Sequence, residues 1–259
     1  MDLIWKAFVA STVLLVAGCA TYTTPGRGVP VELLSSSESP APSADKPAPL
    51  SENEIEQSLT AQPAASFPAR IAFVRLQAAG YRDCYGSGRF CVVTHREIES
   101  EENYARLGKM PQVAGLAVMN RLVLPPSLTS TRDLRRTAAV LRADMLLVYS
   151  LDTTFRVENT DVGPLQLLSL GFLPTKKAQV TATASAVMFD VRTGFIYGLA
   201  EGTAFEEQRG TLWSSSDAVD NARKRAEAEA FGKLVGEIEK FWRDVVKTHA
   251  GGRAAAPAG

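Results

Sequence analysis

The stretch that decides the fold is "QVTATASAVMFDVRTGFIYGLAEGTAFEEQ", which runs from Gln179 to Gln208. Its first part alternates apolar residues, from Val180 to Met188, with threonine and serine, and this alternation predicts a strand. Asp190 then starts a short polar break, and Gly194 ends it where a positive φ favours glycine. The stretch therefore predicts a β-hairpin with a D-x-x-T-G turn.

The sequence before the hairpin predicts a parallel crossover. "RIAFVRLQ" (Arg70–Gln77) and the start of Val113–Pro126 are typical of strands, and the apolar run from Met145 to Val157 is typical of a central strand. "SLTSTRDLRRTAAVLRAD" lies between the last two, and it predicts a helix that Ser130 or Thr131 caps. A strand, a helix and a strand in this order predict a right-handed crossover unit.

Two further helices are expected. Thr94 to Glu97 forms a capping-box pattern, which predicts a helix as far as about Leu107. A long helix is predicted from about Ser215 to Lys247. Its apolar stripe consists of Ala222, Ala226, Ala230, Leu234, Ile238, Phe241 and Val245. The expected fold class is α/β, with a mixed sheet, a crossover helix, the D-x-x-T-G hairpin and a long C-terminal helix packed on the sheet.

This order of elements carries a family resemblance. "LRADMLLVYSLDTTF" followed by "ASAVMFDVRTGFIYGLAEGT" is similar to the CsgG-type superfamily, named for a curli-secretion lipoprotein. In that superfamily a helix leads through an Ala-Asp step into a central strand, and a hairpin with the same turn follows. Outer-membrane lipoprotein activators of peptidoglycan synthases and the N-terminal domain of the TolB translocation protein share this plan. The resemblance covers about Arg70 to Lys247 and implies the fold better than the function.

The chain departs from the channel-forming members in two respects. One is its insertion, and the other is a long N-terminal tether, which is unlike a rim-anchored channel subunit and more like the synthase activators. Curli-type pores are built from long amphipathic hairpins, whose strands need about 9 to 11 membrane-facing residues. The corresponding insertion here is about Glu158 to Lys177, and "VGPLQLLSLGFLP" within it does not alternate. The sequence therefore favours the synthase activators over a pore.

The N-terminus predicts a lipid anchor. Ala7 to Ala17 is an apolar segment of about 11 residues, which suits a signal peptide and is too short to span a bilayer. Val16-Ala17-Gly18-Cys19 resembles a bacterial lipobox, which implies acylation of Cys19 and removal of residues 1–18 as a signal peptide. Ala20 follows the cysteine, and by the sorting rule of enteric lipoproteins this implies the outer membrane with the domain in the periplasm. An ordinary signal peptide with a chance cysteine is the alternative.

A tether and one domain are expected after the anchor. Residues 19–66 are rich in proline, serine and alanine and lack hydrophobic periodicity, which predicts a disordered tether. Ile55 to Thr60 could form one helical turn within it. Residues 67–249 are expected to form a single globular α/β domain, and residues 250–259 a disordered tail.

The remaining cysteines, Cys84 and Cys91, flank the turn signal Gly86-Ser87-Gly88. With Cys19 acylated and an oxidising envelope around the domain, these two thiols are expected to form a disulfide. Two free buried thiols are the alternative.

No pattern in the sequence predicts catalysis. Lys+Arg and Asp+Glu both number 28, so the basic surface that nucleic-acid binding needs is not expected. His95 and His249 lack neighbours at zinc spacing, so no metal or other cofactor is expected. Two charged groups are interpreted as solvated helix faces. The first is Glu97, Glu99, Glu101 and Glu102, and the second is Arg223, Lys224, Arg225, Glu227 and Glu229.

One apolar segment is a candidate for contact with a partner or a membrane, because exposed apolar patches often mark such contacts. Its residues are Leu165, Leu167, Leu168, Leu170, Phe172 and Leu173. Folding of this segment over the sheet is the alternative.

These features predict a lipid-anchored protein that is not an enzyme. Its membrane contact is the lipid on Cys19, and its expected partner is an envelope protein. It would act as an interaction module in envelope assembly or in regulating a cell-wall enzyme. The alternative is a homo-oligomeric subunit of an outer-membrane secretion or pore complex.

Overall fold

The structure of the chain is a computed structural model. It describes residues 52–79, 84–88, 90–159, 174–211 and 216–251. The strands are β1 (Ala69–Ala78), β2 (Cys84–Tyr85), β3 (Ser87–Gly88), β4 (Phe90–Val93), β5 (Val113–Val118), β6 (Ser127–Leu128), β7 (Met145–Asn159), β8 (Pro174–Asp190) and β9 (Ile196–Thr211). The helices are α1 (Glu52–Thr60), α2 (Glu101–Gly108), α3 (Thr131–Val140) and α4 (Ser216–Val245), and a π-helical turn, Val246–Ala250, follows α4.

The main sheet is mixed, as the sequence predicts. Its strand order is β2-β4-β1-β7-β8-β9, and β5 also pairs with β1. β5 and β7 both run parallel to β1, on opposite sides of it, whereas β4, β8 and β9 pair antiparallel with their neighbours. The parallel crossover through α3 and the α/β fold class are therefore confirmed.

The sheet is buried on both faces at its centre. Ile71 and Phe73 of β1 belong to one hydrophobic core, while Ala72, Val74 and Leu76 belong to a second. We call the side of the first core, which α4 and α2 cover, the first face. The second face carries the other core, to which Leu134 and Ala138 of α3 contribute.

The D-x-x-T-G turn joins β8 to β9 with the expected geometry. Gly194 has a φ of 78°, and its N–H donates to the carbonyl oxygen of Asp190 at 2.9 Å. The Asp190 N–H donates to the carbonyl oxygen of Phe195 at 2.7 Å, which closes the hairpin.

The long helix α4 lies very close to β9. Its predicted apolar stripe faces the first core, where Ala222, Ala226 and Ala230 are fully buried. A Cβ atom placed on Gly202 of β9 would lie 2.4 Å from the backbone nitrogen of Leu234 and 2.7 Å from the carbonyl oxygen of Ala230. The helix and the strand therefore meet through alanine and glycine, and their main chains are nearly in contact.

Three predicted boundaries differ from the structure. The helix predicted from Thr94 begins at Glu101, because Ser100 rather than Thr94 accepts the capping hydrogen bond, from the N–H of Asn103 at 3.2 Å. The insertion predicted from about Glu158 is shorter, since β7 continues to Asn159 and β8 begins at Pro174.

The third difference concerns the residues before Phe67. The predicted helical turn extends to nine residues in α1, Glu52–Thr60. Ala65 is buried in the first core, so the last residues of the predicted tether pack on the domain. The division into signal peptide, tether, domain and tail stays a prediction.

No helix in the described ranges is long and apolar enough to cross a membrane.

The close contact between α4 and β9 can be tested with Gly202→Ala. We expect a loss of about 1 to 3 kcal/mol in the free energy of unfolding, because backbone atoms of α4 occupy the space that the methyl group needs. Denaturant unfolding measures this loss. Gly115→Ala in β5 is the control, since no atom lies within 4 Å of its added Cβ. Equal losses in the two variants would contradict this packing.

Candidate functional site

The site residues predicted from the sequence divide into two groups. Cys19 and the apolar residues of 165–173, namely Leu165, Leu167, Leu168, Leu170, Phe172 and Leu173, lie outside the described residues. Cys84 and Cys91 lie within them, and their sulfur atoms are bonded, with the Cα atoms 5.5 Å apart. This bond joins β2 to β4 around the Gly86–Gly88 turn.

A buried charged cluster lies where β1 and β7 run side by side. Arg75 of β1 is the register partner of Tyr149 of β7, and both point to the first face. Glu99, in the loop before α2, places a carboxylate oxygen 3.4 Å from the Arg75 guanidinium and accepts a hydrogen bond from the Tyr149 hydroxyl. The side chains of Arg75 and Glu99 are 5% and 1% exposed, so this ion pair is almost wholly removed from water.

Burial governs the titration of the neighbouring phenols. It raises the pKa of Tyr149 well above its usual value, and the Glu99 charge adds to the effect. Burial, again with Glu99, raises the pKa of Tyr104 to about 12. Both phenols therefore stay protonated at neutral pH and can act as donors. Beside them is a cavity of about 20 Å³, which has room for roughly one water molecule.

The charged cluster continues onto α4. Glu227 accepts hydrogen bonds from the Thr153 hydroxyl at 2.9 Å and from the Arg223 guanidinium at 2.8 Å. Burial alone would lower the pKa of Arg223, but the charges of Glu227 and Asp220 outweigh it and raise the pKa. Arg223 thus holds its charge, and α4 is linked to β7 through Glu227.

The predicted solvated faces are partly wrong. Glu99 is buried because α2 begins only at Glu101, which leaves Glu99 in a loop that crosses the sheet. Arg223 and Glu227 are 8% and 2% exposed, because the close packing of α4 turns them towards β7. Glu101 lies in solvent, with its side chain 91% exposed, as the sequence predicts.

The charged groups of this cluster pair with one another. Such pairing is typical of a structural role, in which the contacts hold neighbouring elements together. In the described parts of the chain, no three His, Cys, Asp or Glu side chains gather as metal ligands would. Sequence patterns did not reveal the cluster, because Arg75, Glu99 and Glu227 are far apart in the chain and only packing brings them together.

Asp190 forms a second polar centre, at the hairpin turn. Its carboxylate accepts hydrogen bonds from the N–H of Ala64 at 2.6 Å and from the Tyr197 hydroxyl at 2.8 Å. Burial alone would raise the pKa of Asp190, but hydrogen bonds from Ala64, Thr193, Tyr197 and Arg192 outweigh it and lower the pKa. The segment that follows α1 is therefore attached to the domain at this turn.

Beyond α3, no element in the described parts of the chain covers the second face of the sheet. We define the open face as the solvent-facing residues of β7, β8 and β9 there. They are Ser150, Asp152, Thr154, Thr181, Thr183, Ser185, Leu199, Glu201, Thr203 and Phe205. Most are small and polar, and hydroxyl groups of Thr183 and Thr203 lie 3.2 Å apart. Leu199 and Phe205 stand out, because they are large, apolar and 63% and 53% exposed.

The open face borders the outer edge of β9. Among the described residues, no strand pairs with that edge. Lys233 of α4 donates to the carbonyl oxygen of Thr203 at 3.0 Å, so the Thr203 main chain points outward. Along an antiparallel strand, the main-chain N–H and C=O groups of successive residues point alternately to one neighbouring strand and to the other side. The main-chain groups of Leu199, Glu201 and Phe205 therefore point outward like those of Thr203. The alternation of apolar residues from Val180 to Met188 with threonine and serine predicted the strand β8, but Leu199 and Phe205 gave no signal in the sequence.

Comparisons with known proteins yield distant structural similarities. No family model matches the chain, and no curated protein matches it. A neuraminyllactose-binding hemagglutinin homolog from Helicobacter pylori is 10% identical, with a TM-score of 0.34 over 72% of this chain and 95% of that one. A Xanthomonas campestris protein of family DUF330 is 14% identical, with a TM-score of 0.35 over 73% and 94%.

A lipoprotein from Neisseria meningitidis is 12% identical, with a TM-score of 0.28 over 68% of this chain and 99% of that one. At these identities and TM-scores the similarity carries no functional argument.

The buried ion pair can be tested with Glu99→Ala. We expect a loss of about 3 to 5 kcal/mol in the free energy of unfolding, because Arg75 would keep its charge in the core without Glu99. Denaturant unfolding at neutral pH is the measurement. In the control, Glu101→Ala, we expect a change within about 0.5 kcal/mol, since that side chain is exposed.

An apolar replacement of the whole pair sharpens this test. The double variant Arg75→Met with Glu99→Leu should recover much of the lost stability, because no unpaired charge remains buried. A double variant that is as unstable as Glu99→Ala would contradict the interpretation.

Proposed function

We propose that this protein is a lipid-anchored envelope lipoprotein without enzymatic activity. Its domain would serve as a protein-interaction module in envelope assembly or in the regulation of a cell-wall enzyme. The single observation that carries the interaction role is the open face beside the outer edge of β9. Large apolar side chains and outward main-chain groups on one surface are the two features that an extended protein segment uses when it binds a sheet edge.

The point where the chain joins the domain supports this role. The segment after α1 is held by Asp190 at one end of the sheet, through Ala64. Thr181 is nine residues from Asp190 along β8, and at about 3.3 Å per residue it lies about 30 Å away. A domain tethered at the Asp190 end would keep the far part of its open face clear of its own attachment.

The absence of enzymatic activity is part of the proposal. It is supported by the pairing of the buried acids, since Glu99 and Glu227 each contact an arginine and a hydroxyl group. A general acid or base needs to face a cleft where substrate can bind, whereas the cavity that Glu99 lines, of about 20 Å³, has room for roughly one water molecule.

A homo-oligomeric subunit of an outer-membrane secretion or pore complex is the second candidate. It is favoured by the length of the β7–β8 pair, whose register continues to Asn159 and Lys176. A second copy could also use the edge of β9. Mass measurement after detergent extraction distinguishes the two candidates, and a strictly monomeric protein would eliminate this one.

The anchor can be tested by intact mass of the membrane-extracted protein. We expect the wild-type protein to lack residues 1–18 and to carry added acyl mass. We expect Cys19→Ala to show neither change, because the acylated thiol is gone. An unmodified mass for the wild-type protein would contradict the anchor.

The contact role can be tested with the double variant Leu199→Glu and Phe205→Glu. We expect crosslinking to an envelope protein in intact cells to fall at least about tenfold, because apolar contact area is lost at the interface. The unfolding midpoint should hardly change, since both side chains are mostly exposed.

Leu122→Glu is the matched control for this variant. Leu122 is 94% exposed and lies outside the open face, so crosslinking should match that of the wild-type protein. Undiminished crosslinking by the double variant would contradict the proposed surface.

A further inference from the structure

A group of arginines lies around the exposed side of α3. We define the arginine patch as these residues together with one arginine of the β8–β9 turn. Its members are Arg132, Arg135 and Arg136 of α3, Arg142 just after the helix, and Arg192. Arg132, Arg136, Arg142 and Arg192 are exposed, and Arg135 is half-buried.

Contacts between α3 and the turn bring the patch together. The Arg135 guanidinium donates to the carbonyl oxygen of Arg192 at 3.4 Å. It also packs on Gly194, where an added Cβ atom would lie 3.1 Å from its Nη1 atom. Arg135 thus links the helix to the turn, and the remaining arginines surround this link.

The patch concentrates positive charge in a chain of zero formal charge. Between described residues, no salt bridge joins Arg135, Arg136, Arg142 or Arg192 to an acidic side chain. Burial lowers the pKa of Arg135 and the neighbouring charge of Arg132 lowers it further, while the charge of Asp190 partly opposes both effects. Arg135, Arg136, Arg142 and Arg192 thus form a group of cations without a described salt bridge, and such a group favours an anionic partner.

An exposed apolar residue accompanies the cations. Val140 lies four residues after Arg136 on α3, so both occupy the same side of the helix, and Val140 is 69% exposed. Binding to a membrane surface grows with the apolar area buried as well as with the attraction to anionic lipids, so Val140 can add to the effect of the arginines.

The chain joins the domain beside this patch. Ala64 donates to Asp190, and Arg192 belongs to the same turn, two residues later. The tether therefore arrives at the end of the domain where the arginines lie. If Cys19 is lipidated, this end is the one nearest in the chain to the membrane.

We propose that the arginine patch binds the anionic headgroups of the phospholipid leaflet that holds the anchor. Its place in the cell rests on the proposed lipid anchor, but its chemistry does not. A guanidinium group binds phosphate through two parallel hydrogen bonds. Each arginine near an anionic membrane surface strengthens binding about fivefold. The anchor would raise the local concentration of headgroups around the patch, so weak individual contacts would suffice.

The test measures the partition of the full chain with Cys19→Ala into two kinds of vesicle. One is phosphatidylcholine alone, and the other contains about one-third phosphatidylglycerol, which supplies the negative surface charge. Residues 1–18 can insert into both kinds, so the ratio of the two partition coefficients isolates the effect of charge. We expect a ratio of at least about ten at low salt and its loss at high salt, where screening shortens the range of the attraction.

The variant Arg132→Gln, Arg136→Gln and Arg142→Gln should lower this ratio at least about tenfold. The same three positions changed to lysine should keep it within about threefold, because the charge remains. Lys109→Gln, Arg225→Gln and Lys240→Gln remove equal charge from exposed positions elsewhere and should also preserve the ratio. Circular dichroism and unfolding midpoints establish that each variant is folded.

Three outcomes would overturn the proposal. The first is an equal partition of the unsubstituted chain into both kinds of vesicle. The second is a ratio that the glutamine triple variant leaves unchanged. The third is an equal loss in the control triple variant, which would assign the effect to net charge. None of these outcomes bears on acylation of Cys19, which the intact mass reports separately.

Discussion

The approach of α4 to the β8–β9 hairpin is the constraint on which the rest of the domain depends. Gly202 has no room for a Cβ atom beneath the α4 backbone, and the helix presents alanines such as Ala226 and Ala230 to the sheet. Small side chains let the two main chains come close, and dispersion contacts then act over the whole length of the pair. A larger residue at this contact would separate α4 from the sheet and from the first core, which the helix covers.

The buried charges follow from that approach. With α4 held close to the sheet, Glu227 reaches the Thr153 hydroxyl of β7, and Arg223 follows it into the interface. On the same face, Glu99 in the loop before α2 contacts Arg75 and Tyr149. A buried ion pair adds little net stability. It raises the free energy of any arrangement in which its two elements are shifted, because each buried charge would then lose its partner. We infer that the contacts of Glu227 and Arg223 define the register of α4 on the sheet.

The two ends of the sheet differ in character. At the hairpin turn, Asp190 secures the arriving chain and Arg192 adds to a positive surface. Beyond α3, no described element covers the second face, which carries Leu199 opposite Val187, three residues from Asp190, and Phe205 opposite Thr181, nine residues from it. Under the proposed function, the turn end would face the membrane and the part of the open face around Phe205 would meet a partner.

The α/β class, the hairpin turn and the apolar stripe of α4 could be predicted from the sequence, because each depends on local periodicity or on the φ of one glycine. The sequence also supplied the pairing partners Cys84 and Cys91. The burial of Glu99, Arg223 and Glu227 and the exposure of Leu199 and Phe205 were decided only by the tertiary structure. The physical reason is that a charged residue is buried or exposed according to what packs against it, and those neighbours come from distant parts of the chain. A local sequence pattern indicates which face of a helix or strand can be buried. The close approach of α4 to β9 decides which additional side chains, such as Arg223 and Glu227, become buried with that face.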